Sequence, residues 1–298
     1  MKKIKMFAKS ISLILALVIF LGSGFPACAK TAVTSGKCGR KVYWEYKNGT
    51  IKITGKGTMK NYKISKVTEK GNRPWEQLIE EEQIRKVVVG DRITTVGDYA
   101  FTGANVSKIK LGKRVKSIGK KAFAYQQEGA VIEKLVLPNS ITTIKEGAFE
   151  ESCICNIKWS KNLRVIGAYA FQKDWESEEG GLQEETIVFP SKVSSIGDCA
   201  FYGNSVLKNV TFGKNVKKIG DFAFDACSKL RKAVIKNKKM KIEENNFQLN
   251  EYEWEGEEDD NGGEYYTVPN PKLTIYGYRN STAYKFAKYS GLKFKRIK

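Results

Sequence analysis

The sequence predicts a β-rich solenoid: a parallel sheet of short strands wound into about seven coils, with a β-hairpin cap at the N-terminal end and a short helical cap at the C-terminal end. The main observation is a nine-residue phrase, Ile-x-x-Val-Gly-x-x-Ala-Phe, at 93–101, with close copies ending at Phe123, Phe149, Phe171, Phe201 and Phe224. An alternating apolar run precedes every copy. Because a repeat of roughly 20–30 residues cannot bury its own apolar face, the copies must stack on one another.

The first 29 residues are typical of a secretory signal peptide. Lysines at the start precede an apolar run at 11–21, and Ala27-Cys28-Ala29 has the small-x-small form of a signal-peptidase site. The run is too short to cross a bilayer as a helix, which needs about 20 residues. We therefore expect cleavage after Ala29, with a lipoprotein anchored at Cys28 as the alternative, and no integral membrane segment in the mature chain.

Residues 30–83 are expected to form an N-terminal β cap. Val42–Tyr46 and Ile51–Ile53 lie on either side of Asn48-Gly49. Asn-Gly between two apolar runs is the strongest short signal for a hairpin with a type I′ turn. The cap would cover the apolar edge of the first coil.

Residues 84–247 form the repeat region, and each coil is expected to begin with a β-strand, because alternation with a period of two is typical of half-buried strands. In the first six coils the phrase starts four residues after the strand's last apolar residue, and its phenylalanine follows eight residues later. Such fixed spacing lets equivalent side chains meet about 4.8 Å apart. The seven runs are 84–89, 106–111, 132–137, 154–159, 184–189, 207–212 and 230–235.

The phrase itself is interpreted as core and turn. We expect its Ile/Val pair and its Ala-Phe to face inward, with the phenylalanine rings stacked in a ladder. Its glycine is expected to permit a tight turn or a positive φ, although Lys145 takes that place in the third copy. An eroded seventh copy runs from Met240 to Phe247. The glycines concerned are those at 97, 119, 167, 197 and 220.

The chain is expected to continue with an acidic insertion loop at 248–270. Eight of the fourteen residues in 251–264 are acidic, with Asp259 and Asp260 adjacent to each other. Calcium binding there is disfavoured, because the segment lacks the alternate-residue spacing and the length of an EF-hand loop. A solvated loop is the favoured interpretation.

A C-terminal strand and helix cap is expected at 271–298. Leu273–Tyr276 has the alternation of one more strand. Ser281 can N-cap a short helix through Ser290, with Gly291 as its stop. The apolar face of that helix would hold Ala283, Phe286 and Ala287.

These residues resemble the BspA-type bacterial leucine-rich repeat. The phrase Val-x-x-Ile-Gly-x-x-Ala-Phe follows Ile132-x-x-Leu-x-Leu-Pro138, and segments from Gly36 to Trp75 and from Leu273 to Phe294 are similar to those that open and close such proteins. The resemblance implies a leucine-rich-repeat solenoid in a secreted or surface protein that binds other proteins or matrix, often discussed as an adhesin. It implies no catalytic residues.

Composition argues against an enzyme and for an anionic partner. The net charge is +20, and +16 without the four lysines of the signal segment, an excess that favours polyanionic partners. Histidine is absent, although most hydrolytic triads and zinc sites use it. The five cysteines outside the signal segment are an odd number, unlike a disulfide framework. We expect no catalytic, cofactor-binding or metal site.

The outward positions of the strands predict a basic face. Six of the fourteen are lysine and none is acidic. One interpretation is a docking surface for an acidic partner; the other is a solvated sheet on which lysine discourages edge pairing. Two loop tryptophans are further contact candidates, because aromatic residues often anchor interfaces. The candidate partner-binding residues are Lys86, Lys108, Lys110, Lys134, Val136, Asn156, Lys158, Asn209, Lys232, Trp175 and Trp254.

The sequence therefore predicts a secreted or cell-surface interaction module of the adhesion type, which uses its strand face and edge loops to bind a protein or an extracellular-matrix ligand. The alternative is a binder of anionic envelope polymers, glycans or nucleic acid through a basic surface. The oligomeric state is left open by the sequence.

Overall fold

The computed structural model describes residues 34–65, 70–126, 129–174, 180–243, 245–253 and 264–298, and of 250–253 and 264–267 the backbone alone. The predicted signal segment, 1–29, lies outside the described residues, as do Trp175 and Trp254. Within the described residues the chain forms a solenoid of parallel strands with two short helices. The predicted fold class is confirmed.

The elements alternate between longer and very short strands. Through the fifth coil they are β1 (Ser35–Gly39), β2 (Val42–Lys47), β3 (Thr50–Gly55), β4 (Gly57–Thr58), α1 (Glu76–Glu80), β5 (Lys86–Val89), β6 (Ile93–Val96), β7 (Lys108–Lys110), β8 (Ser117–Ile118), β9 (Val131–Val136), β10 (Thr143–Ile144), β11 (Cys153–Lys158), β12 (Val165–Ile166), β13 (Thr186–Val188) and β14 (Ser195–Ile196). The rest are β15 (Asn209–Phe212), β16 (Lys218–Ile219), β17 (Lys232–Ile235), β18 (Lys241–Ile242), β19 (Gln248–Glu253), β20 (Glu264–Pro269), β21 (Thr274–Gly277), α2 (Thr282–Tyr289) and β22 (Lys293–Arg296).

The longer strands of the coils are the predicted ones. Strands β5, β7, β9, β11, β13, β15 and β17 overlap the seven alternating runs, and neighbours pair in parallel. Their sheet is interrupted between β7 and β9 and again between β11 and β13. Those two places follow Phe123 and Phe171, where the chain between phenylalanine and next strand is longest. Extra residues at one point of the coil therefore break this sheet without disturbing the rest.

A second sheet was not predicted. The first half of each phrase forms a strand of two to four residues, and β4, β6, β8, β10, β12, β14, β16 and β18 pair into one uninterrupted sheet of eight strands. Its isoleucines lie in register from coil to coil, as Ile144 does with Ile118 and Ile166. Two-residue strands carry no visible alternation, so periodicity could not reveal them.

The phenylalanine ladder is confirmed. Rings of successive coils, from Phe101 to Phe247, stack with centroids 5.1–5.7 Å apart and planes within 18° of parallel. The eroded seventh copy therefore supplies a rung through Phe247. Trp75 extends the ladder at the N-terminal end, 5.3 Å from Phe101, and its indole N–H donates to the carbonyl of Ala100 at 2.8 Å.

The expected positive φ at the glycines of the phrase is wrong. None of the five has one; the left-handed backbone lies two residues later, as at Tyr169 with φ 58° and Cys199 with φ 52°. The glycine is needed because the neighbouring coil passes too close for a side chain. A Cβ on Gly197 would lie 2.3 Å from the backbone nitrogen of Ala168, well inside van der Waals contact.

The N-terminal cap contains the predicted hairpin. Strands β2 and β3 pair in antiparallel fashion, and both turn residues, Asn48 and Gly49, have positive φ, as a type I′ turn requires. The structure adds β1 on the outer side of the hairpin and α1 before the first coil. Strand β3 then pairs in parallel with β5, so the hairpin covers the end of the long-strand sheet.

The C-terminal cap also follows the prediction. The hydroxyl of Ser281 accepts from the backbone N–H of Tyr284 at 3.3 Å, the apolar face of α2 is buried, and Gly291 ends the helix with φ 66°. Phe286 meets the last rung, Phe247, edge to face at 6.0 Å. Strand β22, which was not predicted, pairs with β21. The segment 248–270, expected to be a loop throughout, contains the antiparallel strands β19 and β20.

Candidate binding surface on the long-strand face

The long-strand face consists of the outward side chains of β5, β7, β9, β11, β13, β15 and β17. All nine candidate residues from the strands lie on it. Asn209 is half-buried, and the other eight are exposed, with Val136 at 41 %. The alternation of inward and outward residues therefore places these side chains as predicted. Trp175 and Trp254 lie outside the described residues, so their positions remain predictions.

Parallel pairing aligns the outward residues into rows that run along the solenoid. Lys86 lies opposite Lys108, and Val88 opposite Lys110. Further along, Lys134 lies opposite Asn156 and Val136 opposite Lys158, and Asn209 opposite Lys232. Adjacent strands are about 4.8 Å apart, so cations of neighbouring coils stand within easy reach of one extended ligand.

The lysines of this face are not neutralised by carboxylates of the described chain. None of the six candidate lysines forms an ion pair with an acidic residue of the described chain. Lysines just outside the set do so: Lys52 pairs with Glu45 at 3.2 Å and Lys208 with Glu185 at 2.5 Å. Lys86 and Lys108 lie directly opposite each other, and like charges repel at this spacing. An acidic ligand would relieve that repulsion.

Apolar groups lie between the cations. Val188 is 62 % exposed on β13 and lies opposite Thr211 on the next strand. At the C-terminal end, the ring of Tyr276 has the ammonium of Lys232 5.0 Å from its centroid and that of Lys295 at 5.9 Å. Sequence reasoning missed Tyr276 and Lys295, although the alternation of the segment from Leu273 to Tyr276 already placed Tyr276 outward.

A wide groove away from this face contains charged side chains that pair with each other. It has a volume of about 1070 Å³ and lies beside α1. Arg73 on its wall is buried, donates to Glu76 at 2.6 Å and to the carbonyl of Thr102 at 2.6 Å. Burial raises the pKa of Glu76, but hydrogen bonds from Arg73 and Gly71 outweigh it and hold this pKa below its usual value. These charges stabilise the first coil and are not available to a ligand.

The thiols of Cys38 and Cys199 are poor nucleophiles. Burial raises the pKa of Cys38 to about 12 and that of Cys199 to about 11, so both stay protonated at neutral pH. Cys227 donates its thiol proton to the carbonyl of Phe201 at 3.3 Å. Ser152 and Asn204 make the equivalent bonds to Phe123 and Phe171. The residue three places after the phenylalanine thus ties its coil to the preceding one.

No group of three or more His, Cys, Asp or Glu that could hold a metal ion occurs in the described ranges. No helix of the described chain combines the length and the apolar character needed to cross a bilayer. Residues 254–263, which include the acidic pair Asp259 and Asp260, lie outside the described residues.

The repeat matches a known family model. The description of that model is "BspA type Leucine rich repeat region (6 copies)", and it covers residues 77–178 and 181–253, more than half of the chain. A comparison with curated proteins gives no match.

Solved structures of bacterial leucine-rich repeat proteins are also similar. One from Eubacterium ventriosum is 20% identical, over 70% of this chain and 73% of that one, with a TM-score of 0.34. One from Bacteroides ovatus is 14% identical, over 87% of this chain and 98% of that one, with a TM-score of 0.34. A leucine rich cell surface protein from Faecalibacterium prausnitzii is 12% identical, over 87% of this chain and 94% of that one, with a TM-score of 0.35.

Proposed function

Because the chain belongs to the BspA-type leucine-rich repeat family, we propose that it is an extracellular interaction module of the adhesion type, which binds a protein or matrix ligand through its long-strand face. Leucine-rich repeat folds are typically binding scaffolds and not enzymes, since a stacked repeat offers a long repetitive surface. Secretion through the predicted signal segment is part of the proposal. Retention through acylated Cys28 is its alternative.

One observation carries the proposal: six outward lysines form no ion pair with the described residues, on a face that the fold leaves open. The inward side chains of the same strands are buried in the core. A scaffold needs the core residues, but it does not need six outward cations, of which Lys86 and Lys108 lie directly opposite each other and repel. The lysines therefore favour a ligand of opposite charge.

The same face favours a protein surface over a bare polyanion. Val136 and Val188 are exposed between the cations, and Tyr276 lies at one end between two lysines. Protein interfaces combine apolar and aromatic contacts with charged ones. We therefore expect an acidic protein segment whose apolar side chains cover the valines while its carboxylates meet the lysines.

A charge-removal experiment tests this function. The strand-face variant replaces Lys108, Lys110, Lys134 and Lys158 with Ser. A matched control replaces four exposed lysines from loops and termini, which form no ion pair with the described residues: Lys56, Lys60, Lys229 and Lys298. Proteins captured from host-matrix and bacterial-surface fractions by the immobilised mature chain are identified, and the affinity of each is measured at several salt concentrations.

We expect the strand-face variant to lose affinity roughly tenfold or more, because exposed charge pairs contribute about 0.2–1 kcal/mol each. Its salt dependence should become shallower, because fewer charges are screened. The matched control should bind like the wild type. Unchanged affinity and salt dependence in the strand-face variant would remove the proposal.

A further inference from the structure

A second basic surface runs along the turn edge, where each coil passes from its longer strand into its short strand. Fourteen residues form the seven two-residue turns, and eight of them are Lys or Arg, against the single acid Asp91. This surface differs from the long-strand face and contains none of the candidate residues named from the sequence. The turns are 91–92, 113–114, 139–140, 161–162, 191–192, 214–215 and 238–239.

A row of side chains with a regular pattern borders this edge. Its members stand two residues after each turn and are joined by one backbone hydrogen bond of 2.8–2.9 Å per coil. They lead directly into the uninterrupted short-strand sheet. In the first six coils hydroxyl and cation alternate strictly: Thr94, Lys116, Thr142, Arg164, Ser194 and Lys217. Because coils are about 4.8 Å apart, the cations recur about every 10 Å.

The cations of this row are free for a ligand. Lys116, Arg164 and Lys217 are exposed and form no ion pair with the residues that the structure describes. The hydroxyls between them are half-buried, and those of Thr142 and Ser194 donate to the carbonyls of Lys116 and Arg164 at 3.4 and 3.1 Å. Each keeps oxygen lone pairs that can accept from a ligand hydroxyl.

A groove of about 500 Å³ crosses the row at the third coil. Short neutral side chains of Asn139, Ser140 and Thr142 form its floor, while the long cations of the second and fourth coils, among them Arg114 and Arg164, form its walls. Neither an acidic nor an aromatic side chain is among the described residues that line it. The groove is therefore polar and cationic without any stacking platform.

We propose that the turn edge binds a linear acidic polysaccharide in which a charged sugar alternates with a neutral one. Each anionic group would meet one cation of the row, and the neutral sugar between would hydrogen-bond to the intervening Thr or Ser. Nucleic acid fits poorly, because its charges are about 3.4 Å apart along a strand and single strands are held by aromatic stacking. The uninterrupted row suits a polymer of constant period.

The turn-edge site is independent of the long-strand face and of the protein partner proposed for it. Its test uses the mature chain and three fluorescent probes: hyaluronan oligosaccharide with alternating charge, oligogalacturonate with a charge on every sugar, and oligo-dT. The edge variant replaces Lys116, Arg164 and Lys217 with Ser. The register variant combines Thr142→Lys with Arg164→Thr, which keeps the net charge and breaks the two-coil period. The three-lysine control replaces Lys108, Lys134 and Lys158 of the long-strand face with Ser.

We expect hyaluronan to bind the wild type more tightly than the other two probes do. The edge variant should lose about 100-fold in hyaluronan affinity and the register variant about fivefold, since one cation near an anionic surface contributes about fivefold. The three-lysine control should bind hyaluronan like the wild type. Equal losses in the edge variant and the control would show attraction by net charge alone and overturn the site, as would undiminished binding by the register variant. Tighter binding of oligo-dT or oligogalacturonate would overturn the alternating ligand. Circular dichroism of each variant verifies folding.

Discussion

The ring ladder predicts how strongly the coils depend on one another, and Phe149 lies near its middle. The side chain is 1 % exposed, and its ring stacks on Phe123 at 5.6 Å and on Phe171 at 5.4 Å, with planes 6° and 9° from parallel. Truncating a buried Phe to Ala costs about 3–5 kcal/mol. We expect Phe149→Ala to reach the upper part of that range, because two stacks of roughly 0.5–1.5 kcal/mol each are lost with the ring.

Urea unfolding followed by far-UV circular dichroism measures the effect. Each coil contacts mainly its neighbours, so a missing central rung should also weaken coupling between the two halves and lower the m value. Phe149→Leu, which keeps most of the apolar volume, should cost about 1–2 kcal/mol. Tyr289→Ala, at a side chain 74 % exposed, should stay within about 0.5 kcal/mol of the wild type. A loss for Phe149→Ala no larger than that for Tyr289→Ala would refute the ladder as the link between coils.

Two further predictions concern buried polar groups. Burial raises the pKa of Asp225 to about 7, so the folded carboxyl keeps a proton that the unfolded one releases near pH 4, and stability should fall as pH rises between those values. Asp225→Asn keeps an acceptor for the N–H of Gln248 but cannot titrate. Its urea midpoint should therefore change less between pH 5 and pH 8 than that of the wild type; an unchanged pH dependence would contradict this. Asn204 bonds the carbonyls of Phe171 and Phe201 and the N–H of Leu182, so Asn204→Ala should cost about 2–3 kcal/mol. Asn204→Ser keeps a hydroxyl that can donate to the carbonyl of Phe171, as Ser152 donates to that of Phe123. In thermal unfolding it should lose less stability than Asn204→Ala. Equal losses would contradict this hydrogen bond as a tie between coils.

The sequence predicted the features that repeat with a visible period. Alternation located the longer strands and the outward lysines, Asn48-Gly49 located the hairpin, and Ser281 with Gly291 bounded the last helix. Prediction from the sequence failed where the structure of one coil depends on its contacts with a neighbouring coil. The short strands have too few residues to alternate, and the role of Gly197 depends on how closely Ala168 approaches.

The two basic surfaces also differ in whether the sequence alone could predict them. The lysines of the long-strand face follow from period two within one strand, so they could be named in advance. The turn-edge row has one member in each coil, and its alternation of Thr142, Arg164 and Ser194 appears only once the pairing register is known. Tyr276 was overlooked because its strand was assigned to the cap and not to the binding face.

The central claim is that the repeated phrase builds the scaffold while a protein partner binds the lysines of the long-strand face. The most direct measurement is the salt dependence of affinity for one captured protein, compared among the wild type, the strand-face variant and the edge variant. We expect weaker binding and a shallower salt slope for the strand-face variant alone. Equal weakening of both variants, or of neither, would contradict it.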